Sequence, residues 1–199
     1  MTSYLGQEGL PRGLKNNNPG NLVLTNINWQ GKIPNAQNTD GHFEQFRELR
    51  YGIRAMMRDL IHDVNKGLDN LNDLIAEYAP PHENDTANYV SFVSNATGIH
   101  PTDKLILNKP ILIALVKAKI AMENGSAFSS YVSDKDYQDA IDILGVELLD
   151  GAELKKKSLS GSLEQSGSYL HCPSCSAELI LQERSKGTRE TENPNGAEG

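Results

Sequence analysis

The chain has 199 residues, 38% of them apolar and 23% charged, with a formal charge of −7. That length fits one domain of about 150 residues plus an appendage, and the acidic balance argues against a protein that tracks nucleic-acid phosphates through a basic face. No apolar run approaches the roughly 18 residues of a membrane span, and Met1–Gly6 lacks the basic and apolar regions of a secretory leader, so synthesis in the cytoplasm is expected.

In chain order, the first dense segment is Pro11-Arg12-Gly13-Leu14-Lys15-Asn16-Asn17-Asn18-Pro19-Gly20-Asn21. Asparagine tolerates left-handed backbone and closes turns on its own main chain, and Pro-Gly fixes a tight reversal. The carboxamides have two readings: a recognition surface for hydroxyl- and amide-rich ligands, or a loop bonded to itself. Leu22-Val23-Leu24 and the alternating His42-Phe43-Glu44-Gln45-Phe46 predict a small antiparallel hairpin or three-strand flap, punctuated by Trp29-Gln30-Gly31 and Asp40-Gly41.

Helical periodicity then takes over. Leu49, Ile53, Met56, Met57, Leu60, Ile61 and Val64 form one apolar stripe, ended by Lys66-Gly67. Asn70 caps a short helix with Leu71, Leu74, Ile75 and Tyr78 inward, and Pro80-Pro81 stops it. Asp85 or Thr86 opens a third helix burying Tyr89, Phe92 and Val93. Asn108-Lys109-Pro110 opens a strongly apolar helix through Met122, which Glu123-Asn124-Gly125 closes. A last amphipathic helix spans about 134–144. The body, residues 1–150, is therefore mainly α with one small β element (α+β).

Residues 151–168, rich in Lys, Ser and Gly, form a linker. A small unit over 169–182 carries His171-Cys172-Pro173-Ser174-Cys175, and residues 183–199 make a polar tail expected to be disordered. Cys172 and Cys175 supply half of a tetrahedral zinc site. The alternatives are structural zinc completed by a second chain, a degenerate knuckle and a metal-free turn. No cofactor is expected for catalysis.

The second dense segment is Tyr78-Ala79-Pro80-Pro81-His82-Glu83-Asn84-Asp85-Thr86-Ala87-Asn88-Tyr89. Asp85 or Thr86 suffices as the cap, leaving Glu83 without a structural task. A glutamate on a stiff, proline-flanked loop suits general-acid chemistry if desolvated, and is an ordinary surface residue if not. Trp29 is either a sugar-stacking platform or the lid of the hairpin. Glu44 alternates with Phe43 and Gln45 and is expected on a solvent face. Glu123 stands at a helix C-terminus, where the dipole disfavours a carboxylate.

Taken in order, the Arg12-to-Leu22 segment, Trp29-Gln30-Gly31, Phe43-Glu44-Gln45-Phe46, Tyr51-Gly52-Ile53-Arg54-Ala55 and the Tyr78-to-Tyr89 segment resemble a family of phage and prophage proteins. Those proteins are often labelled virion structural proteins and look like relatives of lysozyme-like and glucosaminidase-like peptidoglycan hydrolases. The resemblance covers residues 11–125. It implies a lysozyme-like helical domain with a small hairpin beside a cleft. It also implies a glycosidase or lytic transglycosylase that cleaves the β-1,4 glycan of bacterial peptidoglycan. Glu83 would be the general acid with Glu8 in reserve, Asp40 or Glu44 the second carboxylate, and Asn17, Asn18, Asn21, Trp29, Tyr78 and Tyr89 the sugar groove. The alternative is a non-catalytic virion component that keeps the scaffold and at most binds glycan. Expected partners are peptidoglycan and other virion proteins, with action at the host wall.

Overall fold

A computed structural model describes residues 1–81 and 85–148, together with the backbone of 170–171 and 178–179. The chain divides into two units, Met1–Ser162 and Leu163–Gly199.

Among the described residues, six α-helices build the first unit: α1 (Arg12–Lys15), α2 (Leu49–Asn65), α3 (Leu71–Tyr78), α4 (Thr86–Thr97), α5 (Lys109–Asn124) and α6 (Asp134–Asp142). Four of these starts have a side-chain cap. The Asn70, Asp85 and Asn108 side chains accept from the backbone N–H three residues on, at Asp73, Asn88 and Ile111. Ser133 and Asp136 make a reciprocal capping box that opens α6. Gly98 ends α4 in the left-handed conformation that glycine adopts without steric cost.

The stripe on α2 is the centre of the core. Leu49, Ile53, Met56, Met57 and Leu60 are buried there against α6, α5 and α3, while α4 packs on α3 and α5. Burial of each large apolar side chain contributes about 1.5–3 kcal/mol, so this interlocked set outweighs the weak helix propensities of the shorter segments. The mainly helical body is as expected.

The hairpin over 22–46 is not formed as expected. Antiparallel pairing there is reduced to isolated bridges at Val23–Phe43 and Lys32–Phe46. The cause is competition for the main chain. Asn38, Asn18 and Asn17 donate their side-chain N–H groups to the carbonyls of Phe43, Glu44 and Phe46, and the Phe46 N–H donates to the Asn16 carbonyl. Asparagine side chains thus occupy hydrogen-bonding positions that a neighbouring strand would fill.

In the second unit, β1 (Leu170–His171) pairs antiparallel with β2 (Glu178–Leu179), with Leu170 opposite Leu179 and His171 opposite Glu178. Cys172 and Cys175 lie between these strands in sequence but outside the described residues, as do the linker and tail over 151–168 and 183–199.

Candidate functional site

The asparagine bend faces inward. Asn17 and Asn18 are 0% exposed. Asn17 accepts from the Tyr4 N–H at 2.8 Å and donates to Ser3 Oγ and the Phe46 carbonyl at 2.9 and 3.0 Å. Asn18 accepts from the Leu22 N–H and donates to the Leu22 and Glu44 carbonyls, at 2.9–3.0 Å. Their donors and nearest acceptor positions are engaged, and no surface of either side chain meets solvent. This corrects the sugar-binding expectation for both: they fasten the N-terminal segment and the 22–46 lobe to the helices. A polar triplet ahead of Pro-Gly reads as surface in sequence, and its burial is visible only once its backbone partners converge.

Glu44 is likewise corrected. It is fully buried rather than solvent-facing. Its Oε1 accepts from Lys32 Nζ at 2.8 Å and from the Thr25 N–H and Oγ1 at 2.9 Å, while Oε2 has no partner among the described residues. The local chain departs from strand geometry to deliver Thr25 and Lys32 to this carboxylate, so alternation no longer decides which side faces water. Asp40 is held by Arg12 at 2.7 Å and by Asn16 at 2.7 Å. The Arg12 guanidinium, against the opposing effect of burial, keeps the Asp40 carboxyl well below the usual carboxylate range. Glu8 is exposed in the irregular N-terminal segment, and Glu83 lies outside the described residues. Trp29 is half-buried in a loop whose ties run to Glu44 and Arg47.

Asn21, Tyr78 and Tyr89 are brought together, and the group that joins them is Glu123. Asn21 Nδ2 donates to Glu123 Oε2 at 3.0 Å across 102 positions of sequence. The Tyr89 hydroxyl donates to Glu123 Oε1 at 3.2 Å. Tyr78 packs edge-to-face on Tyr89, with centroids 5.7 Å apart. Beneath them, Lys119 Nζ sits 3.5 Å from the centre of the Tyr78 ring. The two dense motifs of the sequence therefore meet at the C-terminal end of α5.

The electrostatics follow from burial. Desolvation lowers the Lys119 pKa, opposed by the nearby carboxylates of Asp59, Glu123 and Asp63. Burial raises the Asp59 pKa, with Lys119 opposing, and burial also raises the hydroxyls of Tyr78 and Tyr89 well beyond their ordinary value. Both tyrosines therefore stay neutral, and Tyr89 acts as a hydrogen-bond donor to Glu123. Asn21 adopts φ +50°, a left-handed conformation that aims its amide at Glu123. Asn124, next along, donates to the Pro19 and Ile120 carbonyls and anchors the bend to α5.

Lys119 is not among the residues the sequence singles out, though a signal exists for it and for Glu123. Leu112, Leu115, Val116, Lys119, Ile120 and Glu123 share one i, i+3, i+4, i+7 face of α5, so both charges stand on its buried stripe. Glu123 was marked only by its misfit with the helix dipole.

A shallow furrow between α3 and the start of α4, lined by Asn72, Asp73, Ala76, Pro81, Asp85 and Val90 among others, contains none of the expected site residues that lie among the described residues. Among the described residues, no group of three or more His, Cys, Asp and Glu side chains is placed to hold a metal ion. No helix among them is long and apolar enough to cross a membrane.

No protein-family model matches the chain. It is similar to Protein P5 of Pseudoalteromonas phage PM2, with 42% identity over 119 residues, covering 58% of this chain and 72% of that protein. Identity at that level over that length carries the fold and the family with it, and the chain belongs to the phage protein family of which Protein P5 is a member.

Proposed function

We propose that this chain is a component of a phage particle whose helical unit is a scaffold that engages the glycan of the bacterial wall. The relationship to a phage PM2 protein supports the particle part of this reading, and the motif resemblance is what suggests the glycan part. The asparagine bend supports the scaffold part, because its buried amides join the N-terminal segment, the 22–46 lobe and α5 into one body. Density-purified particles analysed by mass spectrometry should contain the chain in fixed stoichiometry, and purified protein should co-sediment with isolated peptidoglycan sacculi. Absence from particles would overturn the first part, and absence from the sacculus pellet the second.

A second reading is glycan cleavage. The observation favouring it is a half-buried carboxylate, Glu123, held by two neutral donors beside paired tyrosines. In such a reaction a carboxyl group would protonate the leaving glycosidic oxygen, and water or a sugar hydroxyl would complete the step. Glu83 remains the acid implied by the motif resemblance. Release of reducing ends from sacculi by wild type, and its loss in Glu83→Gln, would support this reading; intact glycan after prolonged incubation would remove it. Structural zinc at Cys172 and Cys175 is a further proposal, tested by elemental analysis of wild type against Cys172→Ser.

A further inference from the structure

We infer that Glu123 is the contact point for a neutral, hydroxyl-rich saccharide, accepting hydrogen bonds from its hydroxyl or acetamido N–H groups. This deepens the glycan-engaging reading above and rests on it.

Two features at this spot run against folding alone. A carboxylate ends a helix at the negative pole of its dipole. Lys119 places an ammonium in the core, 4% exposed. Asn21 Oδ1 adds a buried acceptor with no hydrogen-bond partner among the described residues. A scaffold needing only stability would fill this volume with apolar side chains, and local exceptions of this kind concentrate where a molecule works.

The geometry also states what would bind. Each Glu123 oxygen accepts one protein hydrogen bond, from Asn21 or Tyr89, and a carboxylate has about four acceptor positions in all. Glu123, Asn21 and Tyr78 all keep partial exposure, so this cluster borders solvent. Lys119 already lies in the field of Glu123, Asp59 and Asp63, so the carboxylate has cationic compensation. The capacity left over suits neutral O–H and N–H donors rather than a second cation. Tyr78, half-buried and braced by the buried Tyr89, adds apolar surface for the C–H face of a sugar ring.

The test uses the full chain and chitotetraose, an oligomer of N-acetylglucosamine, with maltotetraose as comparator, read by isothermal titration and amide chemical-shift changes. Wild type should bind chitotetraose in preference to maltotetraose. Glu123→Gln should weaken it about tenfold, the usual scale for losing a hydrogen bond to a charged group, with an unchanged circular dichroism spectrum. Asn21→Gly keeps the left-handed backbone without strain, so a purely structural role leaves binding intact, whereas this site loses affinity severalfold. Tyr89→Phe should fall between them, and Gln138→Ala on the exposed face of α6 should match wild type. Sacculus binding by wild type with chitotetraose affinity unchanged in Glu123→Gln and Asn21→Gly would overturn this site while leaving the glycan reading standing. No binding of either ligand by wild type would overturn both.

Discussion

Gly52 is where the asparagine bend touches α2, and replacing it with alanine makes the sharpest test of the scaffold. In an open helix, Gly→Ala gains about 1 kcal/mol from helix propensity. Here the new methyl would overlap the Asn17 carbonyl oxygen and lie 2.9 Å from its carbon and 3.1 Å from the Asn18 Cα. Those atoms are backbone, so no side-chain rotation relieves the collision. Overpacking of this sort costs about 1–3 kcal/mol. Retreat of the bend also loosens the hydrogen bonds of Asn17 and Asn18 without breaking them all, at about 1 kcal/mol per asparagine. Summing these against the propensity gain leaves a net loss of about 3 kcal/mol, roughly 6–12 °C in Tm at this domain size. Differential scanning calorimetry reads it directly. A Gly52→Ala variant with a Tm equal to or above wild type would refute the claim that the bend is pressed onto α2.

Three further outcomes follow from buried polar contacts. Lys32→Met strands the sealed Glu44 carboxylate and should cost about 3–5 kcal/mol in chemical denaturation, with most of it recovered in Lys32→Met/Glu44→Leu. Asn17→Ala leaves the Tyr4 N–H and Phe46 carbonyl unpaired and should lower stability by about 2–3 kcal/mol, measured the same way. Asp40 has a folded-state pKa depressed chiefly by Arg12, so its stabilisation is fully present above its unfolded value of about 3.9 and disappears as pH falls through the lower folded value. The Tm difference between wild type and Asp40→Asn should therefore hold steady from about pH 7 to about pH 5 and close below about pH 4; a gap that widens with acid would contradict it.

Helices α2 to α6 were legible because their causes are local, whereas α1 lies inside the segment that turn chemistry marks only as a reversal. The α2 stripe, the Asn70 and Asn108 caps and the Gly125 stop are each set by a few neighbouring residues, and the helices lie where those signals place them. The lobe over 22–46 was not, because its alternation is a genuine strand signal overruled by amides from Asn17, Asn18 and Asn38. The same limit hid the roles of the asparagines. Whether an amide faces a ligand or a carbonyl depends on what lies across from it, and for Asn17 that is Phe46, 29 positions away. The candidate site was half visible: Asn21, Tyr78 and Tyr89 stood out by type and motif, while Glu123 stood out only as an electrostatic misfit. Nothing local says that these four meet.

That meeting is best tested by a double-mutant cycle on Asn21 and Glu123, using Asn21→Ala, Glu123→Ala and the double variant in urea denaturation. Direct contact at 3.0 Å predicts that the two losses fail to add by about 1 kcal/mol. Additivity within about 0.3 kcal/mol, the behaviour of independent sites, would mean that bend and helix end do not join there.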